Sequence, residues 1–127
     1  MLCLDRLVRA TDDEAEAEVL LRQGHILLNA RGRLESCGMV ELAAQCAGAG
    51  LGYARRLRGL EPRLGFLVEA RRFAVTGAAG TGDLLRVTTA RAAEVMGVAL
   101  VEAAVYAGDR RTASGQLKVF SFAEEVE

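Results

Sequence analysis

From Ser36 to about Arg58 the chain holds no proline and draws mainly on Ala, Leu, Met, Glu and Gln, which predicts one long helix. Ser36 is the expected N-cap, and Gly59 followed by Pro62 is the expected stop. The strongest constraint on the fold is that this helix lacks a polar side. From Met39 to Tyr53 it is apolar or small almost all round, so Glu41 stands out. A surface helix shows a polar face, so this one is expected to be enclosed on most sides. Gly38, Gly48, Gly50 and Gly52 each cost about 1 kcal/mol against Ala in a helix interior. They make sense only where a backbone, a sheet or a ligand comes very close.

The rest of the chain reads as the material that encloses it. Asp12 to Glu18 is acidic and polar, a loop or the approach to a strand, and Val19-Leu20-Leu21 is a brief apolar run able to enter a sheet. After Pro62 the texture changes. Leu64 to Val75 is apolar apart from Arg71 and Arg72, and Gly77 to Gly82 is a glycine-rich turn. Leu84 to Ala93 carries the strand-favouring Val87-Thr88-Thr89, Met96-Gly97 marks a hairpin, and Val98 to Tyr106 is a further strand. Gly108-Asp109 turns the chain again, and Thr112 to Phe122 alternates to the end. With no repeat, linker or low-complexity segment, residues 1–127 form a single domain. Strand, helix, then meander is an α+β order: an antiparallel sheet of five or so strands wrapped around one central helix, about Cys37 to Leu57. That is the hotdog architecture.

Composition narrows the function classes. A chain of 127 residues supports one core, and its 51% hydrophobic and 26% charged content is that of a globular domain. A net charge of -1 argues against a general nucleic-acid binder. No apolar run reaches the ~20 residues of a membrane span, and the N-terminus lacks a basic segment before a long apolar core. A cytoplasmic protein is expected. Cys3, Cys37 and Cys46 show no CxxC spacing, so neither a disulfide framework nor a metal site is expected. Cys46 is expected to act as a small buried apolar residue. Cys37, near the helix start, sits where a thiolate would be stabilised, though a packing role suffices for it.

Chemistry concentrates between His25, the chain's single histidine, and Gln45. His25, then Gly32-Arg33-Leu34, then Glu41-Leu-Ala-Ala-Gln45 resemble the 3-hydroxyacyl-acyl-carrier-protein dehydratases of the FabA/FabZ type. They are nearest to the divergent dehydratase-like branch associated with aryl polyene gene clusters. Gly65-Phe66-Leu67, Phe73 and Gly82-Asp83-Leu84-Leu85 resemble the same family's middle strands and the turn between them, and the likeness runs from about Val19 to Phe122. One departure stands out: the usual family loop carries His-Phe-Pro-Gly and a second Pro-Gly before the helix, whereas Pro62 is this chain's only proline.

Such a site removes a proton from C2 of a 3-hydroxyacyl thioester and a hydroxyl from C3. A neutral histidine is the natural base near pH 7. A carboxyl group held protonated by apolar surroundings can protonate the leaving hydroxyl. Glu41 on its apolar helix is the candidate acid, with Gln45 one turn on as an organiser. The amide of Gly38, near the helix N-terminus, is a candidate donor to the thioester oxygen. Gly48 and Gly52 continue the face of Glu41, either as the floor of an acyl channel or for close packing.

The resemblance implies that the two catalytic side chains come from opposite subunits of a dimer, a homodimer or a heterodimer with a related hotdog subunit. It implies no cofactor beyond the phosphopantetheine of an acyl carrier protein or coenzyme A that carries the substrate. The pathway it implies is fatty acid or polyene-type biosynthesis. Two other readings remain: a hotdog acyl thioesterase, in which Glu41 alone positions water, and a non-catalytic partner subunit of a heteromeric dehydratase. Arg55, Arg56, Arg58, Arg63, Arg71 and Arg72 are either a landing surface for an acidic carrier protein or ordinary solvated arginines.

Overall fold

The structure, a computed structural model, describes residues 3–60 and 63–123; Pro62 and the side chains of residues 63–66 and 121–123 lie outside that set. The chain runs β1 (Arg6–Ala10), β2 (Glu14–Leu20), α1 (Ser36–Leu57), β3 (Arg63–Val75), β4 (Leu84–Val95), β5 (Val98–Ala107) and β6 (Arg110–Ala123). Among the described residues the strands form one antiparallel sheet in the order β1-β2-β4-β5-β6-β3, with α1 as the helix packed against it.

Of the two expectations for residues 12–18, a loop or the approach to a strand, the structure shows strand from Glu14. β2 reads Glu-Ala-Glu-Ala-Glu-Val-Leu, and its period of two sends Ala15, Ala17 and Val19 into the core. Ala and Glu are both depleted in strands, so composition hid what alternation showed. Cross-strand register then builds the core row by row: Ala17 lies beside Val87, Val87 beside Val105, and Val105 beside Ala113. All four are buried and face the helix residues Met39, Leu42, Ala43 and Cys46.

α1 begins one residue earlier than expected, at the residue expected to cap it. Glu35 is the N-cap, in extended conformation and without a capping side-chain bond, and Ser36 is the first helical residue. Glu35 instead accepts a hydrogen bond from Asn29 Nδ2 at 3.2 Å, so its carboxylate is directed to the preceding loop. The stop falls at Gly59, as expected. Its φ of +69° lets its amide donate to the Arg56 carbonyl and the Leu60 amide to that of Arg55, which satisfies two orphan carbonyls of the last turn.

Met96-Gly97 forms the β4–β5 turn, with Val95 paired to Val98 and φ of +53° and +83° at the two central residues. Such two-residue turns suit Asn-Gly, and a long unbranched side chain at positive φ is strained. Met96 is 92% exposed, so nothing is gained from its side chain. Met96→Asn is therefore expected to raise the unfolding free energy by about 0.5–1 kcal/mol. The measurement is a urea midpoint, and an unchanged or lower midpoint would refute it.

The sheet covers only one stripe of the helix. Gly38, Met39, Leu42, Ala43, Cys46, Gly50 and Ala54 are buried, while Glu41, Gly48, Gly52 and Tyr53 are exposed. The all-round enclosure expected from composition is thus absent in the single chain, and the second apolar face stays open. The glycines divide the same way. A Cβ on Gly50 would strike that of Ala15, and one on Gly38 would strike the Leu34 side chain, so both glycines permit close packing. At Gly48 and Gly52 a Cβ would meet nothing within 4 Å.

Candidate active site

The segment from Arg22 to Glu35 is short of regular structure and is held by its own polar groups. Asn29 Oδ1 accepts from the amides of Arg31 (2.9 Å) and Arg33 (3.0 Å), while its main chain bonds Gly32 and Arg33. A second loop, residues 76–83, is laced to it. The Thr81 amide donates to the Gly32 carbonyl at 2.8 Å, the Leu34 amide donates to Ala79 at 2.8 Å, and Arg33 bridges Gly80. Asn29 was missed by the sequence reasoning, although an Asn shortly before a Gly in a loop is a recognised turn signal.

This framework fixes His25. Its ring is half-buried; Nδ1 accepts the Leu27 amide at 3.2 Å, and Nε2 lies 3.1 Å from the Cys3 carbonyl. An amide can only donate and a carbonyl can only accept. The ring is therefore the neutral tautomer with its proton on Nε2.

The helix supplies the other half. Glu41 and Gln45 are one turn apart, and Gln45 Nε2 donates to Glu41 Oε1 at 2.9 Å. Gln45 Oε1 accepts the Cys3 amide at 2.6 Å. His25, Cys3, Gln45 and Glu41 are thus joined in one hydrogen-bonded line within a single chain. No part for residue 3 was expected, and the line runs through it without bringing the His25 and Glu41 side chains into contact. A main-chain contact leaves no side-chain signature, so nothing in the sequence marked Cys3.

Two site features depart from expectation or extend it. Glu41 is exposed, so the apolar setting required of a protonated acid is not supplied by this chain alone. Gly38 is buried at the third helical position, where first-turn amides lack intrahelical partners, and Glu35 contributes no side-chain cap. Its amide is placed in the part of the helix that favours a developing negative charge.

A cavity of about 350 Å³ lies between the open helix face and the sheet, lined by Ala44, Gly48, Gly52, Thr89, Val101 and Val119 among others. Its lining starts one turn beyond Glu41 and contains neither Glu41 nor His25; His25 lines a separate cleft with Asn29 and Thr81. At one end Arg91 bridges Asp13 (2.7 Å) and Glu94 (2.6 Å). Because Gly48 and Gly52 face open space, packing does not account for them, and Gly52→Ala should raise stability by up to about 1 kcal/mol through helix propensity. Thermal unfolding tests this, and a fall in Tm would mean that a neighbour does require the glycine.

Of the arginines, Arg58 pairs with Asp12 at 3.2 Å and Arg71 with Glu69 at 3.7 Å, both on the surface. The Arg63 side chain lies outside the described set. Among the described residues no cluster of three or more potential metal ligands occurs, and no helix is long and apolar enough to cross a membrane.

The family model described as ApeP-like, ApeP dehydratase, matches residues 1–127. Among curated proteins none matches the sequence. Among solved structures, the dehydratase heterocomplex ApeI:P from Xenorhabdus doucetiae superposes with a TM-score of 0.88 at 19% identity, covering 97% of this chain and 84% of that one. A hypothetical thioesterase from Streptococcus pneumoniae TIGR4 with coenzyme A gives 0.73 at 11% identity, covering 95% and 88%. The protein smu.793 from Streptococcus mutans UA159 bound to acetyl CoA gives 0.74 at 11% identity, covering 95% and 90%. At these identities the likeness is one of fold, and the fold is the hotdog.

Proposed function

Because this chain belongs to the ApeP-like dehydratase family, we propose that it is a subunit of a dehydratase acting on 3-hydroxyacyl thioesters carried by an acyl carrier protein or coenzyme A. The observation that supports the reading is the hydrogen-bonded line that ties His25 and Glu41 to the Cys3 main chain, and within one site the Glu41 carboxyl is proposed to come from the neighbouring subunit. The chemistry balances with these two groups. The C2–H bond breaks and its proton passes to His25, while charge develops on the thioester oxygen near the Gly38 amide. The C3–O bond then breaks, its oxygen takes a proton from Glu41 and leaves as water, and the C2–C3 double bond forms. Return of the proton from His25 to Glu41 restores both groups.

Glu41 needs apolar cover to remain protonated, and the open helix face beside it is where a second subunit would supply it. β3 is an edge strand of the sheet, and Leu67 and Val68 on it are exposed at 43% and 60%. Pairing β3 with a like strand satisfies its unpaired main-chain groups. A related hotdog subunit is the proposed partner, in line with the heteromeric ApeI:P complex that this fold matches. The cavity along Gly48 and Gly52 is the proposed seat of an acyl chain, in fatty acid or polyene-type synthesis.

A second reading has its own support. Both nitrogens of His25 are occupied by main-chain groups and Glu41 is exposed, as would suit a subunit that completes a partner's site without catalysing. One experiment separates the readings: 3-hydroxyacyl thioesters of carrier protein and of coenzyme A, given to the chain alone and with candidate hotdog partners. Enoyl thioester formed in a His25-dependent manner supports the first reading. Activity only with a partner, indifferent to His25, supports the second. Release of free thiol without enoyl product would mean a thioesterase.

A further inference from the structure

Cys3 lies outside every motif the sequence offered, yet its main chain touches both halves of the site. Its carbonyl accepts from His25 Nε2 at 3.1 Å, and its amide donates to Gln45 Oε1 at 2.6 Å, whose Nε2 holds Glu41 at 2.9 Å. The residue is 5% exposed and belongs to the core cluster, so this contact is anchored. We infer that Cys3 is a positioning residue for both catalytic groups: its carbonyl orients His25 so that Nδ1 is the nitrogen that takes the C2 proton, and its amide aims the Glu41 carboxyl through Gln45. The inference rests on the dehydratase reading.

With the proton of the neutral ring on Nε2, the lone pair available to a substrate is on Nδ1. Nδ1 now shares that lone pair with the Leu27 amide at 3.2 Å, which a substrate must displace. When Nδ1 takes the proton the ring becomes a cation. Its Nε2–H bond to the Cys3 carbonyl then becomes charge-assisted and strengthens where the charge develops. A base oriented by a third group is the general arrangement of such sites, and here the third group is a peptide carbonyl rather than a carboxylate. Gln45 gives the second arm its direction: its oxygen is committed to Cys3, so its NH₂ must face Glu41.

Because His25 is the single histidine, ring ¹⁵N spectra of histidine-labelled protein read it alone. The full chain at neutral pH is expected to show Nε2 protonated and Nδ1 bare. Cys3→Pro removes the amide while keeping the carbonyl, and it should lower kcat by about tenfold or more with KM within about twofold. Its spectrum should show a mixture of tautomers as the carbonyl loses its anchor. Where Cys3→Pro fails to fold by circular dichroism, Gln45→Leu breaks the same bond and serves instead, with the same kcat loss and the same mixture of tautomers expected. A protonated Nδ1 in the unmodified chain, or unmodified kcat in the folded variants, would overturn the inference. Absence of turnover in every form, alone or paired, with the Nε2 proton in place, would overturn the catalytic role and the dehydratase reading together while leaving the hydrogen-bonded line intact.

Discussion

His25→Ala and Glu41→Gln are each expected to slow dehydration of a 3-hydroxyacyl thioester by about 10²–10⁴-fold, the usual loss when a positioned base or acid is removed. Both changes should leave the fold in place. His25 is half-buried at the base of a loop that Asn29 and the Thr81 contacts hold independently, and Glu41 is exposed on the helix. The double variant should lose little more than either single one, because the two groups act as a unit on one substrate. Steady-state kinetics on the folded variants decides it; a His25→Ala enzyme running at the unmodified rate would end the mechanism given above.

Gly80→Ala carries the second large effect, this time on stability. A Cβ at residue 80 would sit 2.6 Å from the Gly32 carbonyl oxygen. That oxygen is backbone, fixed by the Thr81 amide at 2.8 Å, and Gly32 is itself held at φ +73°. Neither side of the contact has a flexible end to move, so the two loops must part, at about 1–3 kcal/mol. Thermal unfolding should show a drop of several degrees, and the unfolding free energy from urea should fall in step. A Tm equal to the parent's would mean that the loops slide apart freely.

Which parts of this fold were legible follows from the kind of signal each part carries. The helix, its stop at Gly59 and the β4–β5–β6 meander stand on long runs punctuated by glycine, and they appear in the structure close to where they were expected. The β1–β2 hairpin rests on alternation among Ala and Glu, residues that composition assigns elsewhere. Burial of the helix was overread, because an apolar face says that it is to be covered and not by which molecule. His25, Glu41, Gln45 and Gly38 were identified as residues, but the link between the first three runs through the backbone of Cys3. Backbone atoms are common to all residues, so no pattern of side chains reports them. The glycines teach the same lesson: Gly48, Gly50 and Gly52 look alike in a string, and only the neighbouring sheet separates Gly50 from the other two.

The Cys46 thiol, sealed between helix and sheet, has a consequence in alkaline solution. Burial pushes Cys46 up from its ordinary 9.0 to about 11, partly offset by its bond with Thr89. The unfolded chain therefore ionises this group at lower pH than the folded chain does. Stability from Cys46 is fully present below about pH 9 and drains away as pH climbs through 11, because only unfolding lets the thiolate reach water. A residue chosen to fill space against Val87 thereby becomes a base-sensitive fastening. Cys46→Ala should flatten the loss of stability between those two pH values while lowering its level at neutrality.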